Sequence, residues 1–428
     1  MKIGILASHP IQYHAPWFRE LSRKADLEVF YAARLVAEEQ GVGFGSAFEW
    51  DIDLLSGYRH KFLRNEAARP SIHRFFGCDT PEIRNIVKYG RFDAFIVSGW
   101  NLRCYWQAVR ACRRYKVPVL VRGDSQLLTS RSRLKRRVKE VIYPRLLRQF
   151  DGFLVVGRRN SEYLRYYGVS TGQMFFVPHC VNNEWFARQA EEIRNSKLPA
   201  YAQGSGVAGR SGIRTQWKIP EDAFCVLFCG KFIPKKRPMD LVKAVQLMTD
   251  NSITNNHLPT IHLLFAGSGE LGAQLRERCC VVFDAESTQV SINKELITDN
   301  RKPRASFAGF LNQTEISKAY VAADCLVLPS GGGETWGLVV NEAMACGLPA
   351  IVSDAVGCAP DLIVEGETGF TFPFGNASAL ADRLAKLSQL RTNRFDFATR
   401  VRAKIRDFSP LIASNNTLAA VRSIADNN

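Results

Sequence analysis

Two glutamates eight positions apart, Glu334 and Glu342, sit in the run CLVLPSGGGETWGLVVNEAMACGLPAIVSD at residues 325–354. An apolar strand is expected to end at Pro329-Ser330, three glycines free the backbone, and Glu334 precedes a helix expected from about Gly337 to Ala345. Amide groups at a helix start attract anions, and glycine lets a phosphate or sugar approach closely. On such a helix Glu334 lies at the mouth and Glu342 two turns in. Ordinary structure uses the same types: an acid in the first turn suits the helix dipole, and a later glutamate can simply be solvated.

A basic loop, Gly230-Lys231-Phe232-Ile233-Pro234-Lys235-Lys236-Arg237-Pro238, follows the apolar run AFCVLFC and opens into DLVKAVQLM. Ammonium groups at a strand's carboxyl end suit a diphosphate, whose leaving charge they neutralise; a solvated loop is the plainer alternative. Gly267-Ser268-Gly269 after IHLLFA resembles half of a dinucleotide fingerprint, yet tight strand-to-helix turns use glycine for their own geometry.

The elements around these residues alternate. KIGILAS, LEVFYA, FDAFIVSG, VPVLVRG, GFLVVG and FFVPH read as buried strands separated by helix-period segments, which predicts a parallel sheet over residues 1–181. The pattern fails over residues 182–221, where PAYAQGSGVAGRSG is read as a linker with a flexible insertion. It resumes with AFCVLFCGK, IHLLFAGSG, ASFAGF, DCLVLPS, LPAIVSD and TGFTFPF, giving a second α/β domain over 222–394, with an irregular insertion near 283–304 before its third strand. Residues 395–428 are helical in pattern and expected to pack back toward the first domain. Ligands of open parallel sheets bind at the strands' carboxyl ends, so a cleft between two such domains is the expected site.

Composition sets the outer limits. The chain has 428 residues, 46% apolar and 23% charged, enough for two cores and too ordered in type for a disordered chain. Residues 1–200 hold 33 basic and 19 acidic side chains, a balance of +14, and the remaining 24 and 22 leave +2. The apolar run at Ile3–Ala7 is broken by Ser8-His9-Pro10, too short for a secretory h-region, and no stretch approaches the roughly 20 apolar residues of a spanning helix. The eleven cysteines lie mostly in apolar runs with no zinc spacing and read as buried thiols of a reducing cytoplasm.

The order GKFIPKKRP, AGSGEL, FAGFLNQTEISKAYVAADCLVLPS and ETWGLVVNEAMACGLPAIVSD, from Phe224 to Phe374, resembles the carboxyl domain of the retaining glycosyltransferase family 4. The Glu-x7-Glu spacing is that family's hallmark. The resemblance implies the GT-B fold, two Rossmann-like doubly wound parallel-sheet domains facing a central cleft, and a nucleoside diphosphate sugar as donor substrate, with no cofactor. It implies that Lys231, where the family more often has arginine, and Lys236 bind the diphosphate, that Glu342 holds the ribose hydroxyls, and that Glu334 meets the sugar. Backbone at Thr335, Trp336, Gly337, Leu338 and Val339 would approach sugar and phosphates, and Gly309 and Phe310 would flank the base. Glu334, Lys236 and Lys231, with Asp124, are the catalytic candidates.

The first domain, the acceptor side in that family, matches less well. The usual Gly-Gly turn is replaced by Ser8 to Pro16, which resembles a bacterial subgroup with a His-Pro-Ile-Gln-Tyr opening. His9, Gln12 and His14 are acceptor-binding candidates there, or shape the loop. In VPVLVRGDSQL the family often has histidine near the position of Asp124; Arg122, a further acceptor-binding candidate, is expected to pair with Asp124 or with phosphate, a purely structural pair being the alternative. Asp51-Ile52-Asp53 spells a DxD but precedes Leu54-Leu55-Ser56-Gly57 in the wrong domain, so no metal site is expected.

Residues 131–148, RSRLKRRVKEVIYPRLLR, carry eight basic residues and one acid. Leu134, Val138, Val141, Ile142, Leu146 and Leu147 recur at near-helical spacing, so one face is expected to pack on the sheet while the other meets solvent or an anionic membrane. Nucleic acid is not expected as a partner, since its readers' aromatic and glycine patterns are absent. The reading is a cytoplasmic enzyme, peripheral at the membrane's inner face if that helix binds lipid, moving a sugar to a carbohydrate or lipid-linked acceptor in cell-surface polysaccharide or glycolipid synthesis. The other reading is a catalytically silent nucleotide-sugar sensor or scaffold that kept the donor pocket.

Overall fold

Runs of β-branched, leucine and aromatic residues form two all-parallel, seven-stranded sheets in a computed structural model that describes residues 1–129, 132–196, 209–252, 260–287 and 302–426. Contacts divide the chain into two units: residues 1–36, 52–182 and 407–428 in the first, and 37–51 and 183–406 in the second.

In the first unit the strands are β1 (Lys2–Ala7), β2 (Asp26–Tyr31), β3 (Arg59–Phe62), β4 (Ala94–Val97), β5 (Val119–Gly123), β6 (Gly152–Val155) and β7 (Met174–Phe176), in the order β3-β2-β1-β4-β5-β6-β7. Both faces of the sheet are covered. Phe95, Val97, Val119, Val121 and Phe153 point to one core with the helices Ile83–Tyr89 and Arg103–Tyr115. Ile3, Ile5, Val29 and Leu154 point to another, with Trp17 and Phe18 of the helix His14–Ser22 and Val421 of the helix Pro410–Ala425. Strand β3 has no counterpart among the expected runs. Its sequence RHKF is polar because it is an edge strand with exposed side chains, held by pairing with Glu28–Tyr31 of β2.

In the second unit the strands are β8 (Phe224–Cys229), β9 (Ile261–Ala266), β10 (Cys280–Asp284), β11 (Arg304–Gly309), β12 (Cys325–Leu328), β13 (Ala350–Ser353) and β14 (Gly369–Phe372), in the order β10-β11-β9-β8-β12-β13-β14. Phe228, Phe265, Phe307, Val327 and Ile351 build its core against Leu241 and Val245 of the helix Pro238–Ser252 and Leu380 and Leu384 of the helix Ala377–Thr392. Strand β10 was not among the expected runs. The irregular insertion therefore follows the third strand rather than preceding it, and residues 288–301 lie outside the described residues.

The stretch expected as a linker carries the helices Asn183–Asn195 and Gly209–Gln216; the Gly/Ser-rich residues 197–208 lie outside the described residues. An ionic network pins the second of these helices. Buried Arg214 bonds Asp324 at 2.7 Å and gives its other hydrogens to the carbonyls of Pro220, Glu221, Ala223 and Ala322. Arg210 and Arg391 reach the same carboxylate at 2.5 and 2.7 Å.

The basic segment is the helix Arg133–Leu147, capped by Ser132; Arg131 lies outside the described residues. Its apolar face does not pack down as expected. Leu134 is 73% exposed and Val141 63%, with Val138 and Ile142 close to half, and of the helix only Leu147 is buried. Tyr143 and Leu146 supply what further packing there is. Among the described residues no helix is long and apolar enough to cross a membrane.

Candidate active site

In the second unit the strand order reverses between β8 and β12. β9, β11 and β10 follow β8 to one side and β13 and β14 follow β12 to the other, so the loops leaving these two carboxyl ends diverge and open a crevice, the usual ligand position in such sheets. The loop after β8 carries Lys231 and Lys236, and that after β12 carries Glu334.

The turns at this end are tight. Gly230, Gly267 and Gly309 all have positive φ, and Gly230 N donates to Ala266 O at 2.9 Å while Gly267 N donates to Gly309 O at 2.8 Å. A Cβ on Gly267 would stand 2.1 Å from the Gly230 carbonyl, so these strand ends meet only because side chains are missing.

Lys236, at the end of the turn Pro234–Lys236, forms an ion pair with Glu334 across the crevice, both side chains mostly buried. The half-buried Lys231 is held below the usual lysine range by burial and by its neighbours Lys236 and Lys235. Its ammonium donates to the Val42 carbonyl and stands 4.9 Å over the Phe44 ring, both of the segment 37–51 that packs in this unit.

Glu334 begins a loop fixed from behind. Gly357 N donates to the Glu334 carbonyl at 3.0 Å and Cys358 N to the Trp336 carbonyl at 2.9 Å, and a Cβ on Gly357 would lie 1.7 Å from the Thr335 carbonyl. Buried Trp336 donates its indole N–H to Asn341 at 2.9 Å. Gly337, at φ +104°, caps the helix Leu338–Ala345 and turns the Leu338 and Val339 amides into its first turn, where a helix has no internal acceptors for them.

Glu342 is not the solvated helix residue that its spacing alone allows. It is 6% exposed, and burial pushes its carboxyl up to about 7 despite hydrogen bonds from Tyr320 and Gln313. The Tyr320 hydroxyl donates to Oε2 at 2.6 Å. A carboxylate so placed at a crevice has a spare oxygen lone pair for hydroxyl donors. At the carboxyl end of β11, Phe310 follows Gly309 and packs on Phe44 and Phe48, with ring centroids 4.9 and 4.6 Å away.

The acceptor-side candidates lie in the first unit, around the ends of β1 and β5. His9 Nδ1 meets Ser8 Oγ at 2.9 Å, and burial, then His73, lowers its pKa to about 4. Gln12 is half-buried in the same loop. His14 is buried against Tyr13, Trp17 and Phe18, with its pKa held low by burial and by Arg122. Arg122 is buried, donates to the Pro178 carbonyl at 3.0 Å, approaches His179 Nδ1 at 3.3 Å and lies over Trp17. Asp124 stands 4.0 Å from His179 Nε2. His179 was not singled out in the sequence, where FFVPH reads only as a strand end.

Other residues escaped the sequence reading because their partners are remote. Tyr320 lies 22 positions before Glu342. Asp51 of the DxD run accepts from Thr314 N at 3.1 Å, whereas Asp53 caps Leu55 N and Ser56 N in the other unit, so the two carboxylates part company. Among the described residues no three His, Cys, Asp or Glu side chains gather as a metal would require. All eleven cysteines are buried and unbridged.

Residues 210–404, which hold the β8–β12 crevice, match the family described as Glycosyl transferases group 1. The stretch of the second unit that holds the crevice is thus similar to the group 1 glycosyl transferases. A D-inositol 3-phosphate glycosyltransferase of Streptomyces bingchenggensis is 30% identical over 180 residues, 42% of this chain and 36% of that protein. The sulfoquinovosyl transferase SQD2 of Arabidopsis thaliana is 43% identical over 93 residues, 21% of this chain and 18% of that protein. The chain thus spans well under half the length of these curated relatives. Among solved structures, a glycosyltransferase from Rickettsia africae aligns with a TM-score of 0.68 at 14% identity, covering 100% of this chain and 99% of that one. Anabaena HepE in complex with UDP aligns at 0.65 with 16% identity, covering 99% and 100%. The chain thereby has the GT-B fold.

Proposed function

We propose that the protein is a retaining glycosyltransferase that moves a sugar from a nucleoside diphosphate sugar to a carbohydrate or lipid-linked acceptor. The Lys236–Glu334 pair carries this reading: it spans the switch point of the sheet in the stretch similar to the group 1 glycosyl transferases, beside a helix start, where a diphosphate and the sugar it bears would meet a cation and a carboxylate together. Lys231 and Lys236 take up the charge of the leaving diphosphate, so turnover needs no metal. Glu342 accepts the ribose hydroxyls, Glu334 orients the sugar, and Thr335 to Val339 line the sugar and phosphates. The leaving phosphate helps deprotonate the acceptor on the same face, which retains the anomeric configuration. The loop of His9, Gln12 and His14, with Arg122 and Asp124, serves the acceptor. The UDP complex of HepE makes a UDP-sugar the first donor to try.

The test is transfer itself. Purified protein is given UDP- and GDP-sugars with glycan and lipid-linked acceptor pools, with EDTA and then with magnesium, and the product's anomeric configuration is read by NMR. The reading expects an α-linked product from an α-linked donor with or without EDTA, and its loss in Glu334→Ala and Lys236→Ala. Near-normal activity in either variant would refute the site.

The acceptor is proposed to be presented at an anionic membrane. The exposed Leu134, Val138, Val141 and Ile142 on a helix that also carries Lys135, Arg136, Arg137 and Lys139 favour this over a solvated helix. Co-sedimentation with phosphatidylglycerol vesicles, absent with phosphatidylcholine vesicles and lost in Leu134→Asp/Val141→Asp, is expected. Equal recovery with both vesicle types would remove the membrane from the proposal.

A further inference from the structure

The segment 37–51 belongs in sequence to the region between β2 and β3, yet it packs with the second unit, and its contacts converge on one end of one sheet. Val42 O accepts from Lys231 after β8; Phe44 O accepts from Ser268 Oγ at 2.7 Å after β9; Glu49 O accepts from Asn312 at 2.6 Å, and Asp51 accepts from Thr314, both after β11. The approach is close: a Cβ on Gly43 would come within 2.9 Å of the Lys231 side chain, and one on Gly269 within 3.0 Å of the Gly43 carbonyl. Four polar tethers at three strand ends hold the backbone so that Phe44 and Phe48 both pack on Phe310, and Trp50 stands edge-on to Phe48 at 5.0 Å.

This ring cluster is no ordinary core. Phe44, Phe48, Trp50 and Phe310 are all only partly buried, and the residues between them, Gly45, Ser46, Ala47 and Glu49, are exposed. Half-covered aromatic faces at the carboxyl end of a parallel sheet, next to two lysines, offer what a nucleobase joined to a diphosphate needs: a flat apolar surface for the base within reach of cations for the phosphates.

We propose that Phe44 and Phe48 are donor-binding residues that complete, around Phe310, the aromatic wall for the nucleobase. The inference rests on the nucleotide-sugar reading above. It enlarges the site by a segment outside residues 210–404, and makes base affinity depend on residues that this stretch itself lacks.

The test is isothermal titration of the full-length protein with UDP, GDP and inorganic pyrophosphate. The variant Phe44→Leu/Phe48→Leu keeps the apolar contact with Phe310 and removes the rings. Loss of base stacking is expected to raise the dissociation constant for the preferred nucleoside diphosphate by about tenfold, with pyrophosphate affinity changed less than twofold, and Phe44→Tyr/Phe48→Tyr close to wild type. Unchanged nucleotide affinity in the leucine variant would overturn the wall, as would an equal loss for pyrophosphate, which would show the segment acting through Lys231. Lys236→Ala separates the two levels: if it loses pyrophosphate and nucleotide while the leucine variant loses neither, only the wall falls. Should wild-type protein bind neither nucleotide, the donor reading falls with it.

Discussion

Tyr320 donates its hydroxyl to Glu342 across 2.6 Å inside the second unit, and burial nevertheless raises that carboxyl to about 7. The tyrosine hydroxyl is weaker compensation for a charge than water was. A group whose folded pKa lies above its ordinary 4.5 costs nothing below that value, where it is protonated in both states, and its penalty is complete above about 7. Glu342→Gln, which can still accept from Tyr320, is therefore expected to melt higher than wild type at pH 8, by on the order of 3 kcal/mol in stability. The two should melt alike at pH 4.5. Thermal melts across that range check it, and a constant offset would mean Glu342 is not the titrating group.

The Lys236–Glu334 pair is expected to separate stability from turnover. Removing one member leaves a mostly buried charge alone, so Lys236→Met should cost about 1–3 kcal/mol, the lower end reflecting the residual exposure of both side chains. Lys236→Met/Glu334→Leu should recover most of that while remaining inactive. Chemical denaturation and a transfer assay on the same samples decide it. A double variant as unstable as the single would show that Glu334's other surroundings matter more than the lysine.

Asp324 holds Arg210, Arg214 and Arg391. Burial works to raise its pKa, but the three guanidinium groups outweigh it and hold the carboxyl below its usual 3.8. Its stabilising contribution is thus present above about 4 and lost as pH falls through the lower folded value. Asp324→Asn should cost about 3–5 kcal/mol at pH 7 by leaving Arg214 buried without its counter-ion. The melting difference from wild type should shrink below pH 4.

Gly357→Ala would drive a methyl group to 1.7 Å from the Thr335 carbonyl, which only a shift of the 334–337 loop can relieve. A stability loss of about 1–3 kcal/mol is expected, together with weaker UDP binding by calorimetry. Gly172→Ala, with no atom within 4 Å of the added carbon, should change neither.

Alternating apolar runs and turn glycines alone determined two parallel sheets, and the ordered motifs from Phe224 to Phe374 determined the likeness to glycosyl transferases. Both are local: a buried parallel strand must be apolar on both faces, and a strand end that approaches a phosphate must shed side chains. Strand β3 is hidden because an edge strand needs only backbone partners, so RHKF carries no apolar pattern of its own; CVVFD of β10 is an apolar run, obscured by the irregular stretch that it adjoins. The exposure of Leu134 and Val141 was equally illegible, since a helical stripe says which residues share a face and not whether anything covers it. Only the tertiary structure brought Tyr320 and Gln313 to Glu342, set His179 beside Asp124, sent Asp51 and Asp53 to different units and laid Phe44 and Phe48 on Phe310. Those juxtapositions join residues tens to hundreds of positions apart, and they depend on which strand ends come together, which periodicity along the chain does not encode.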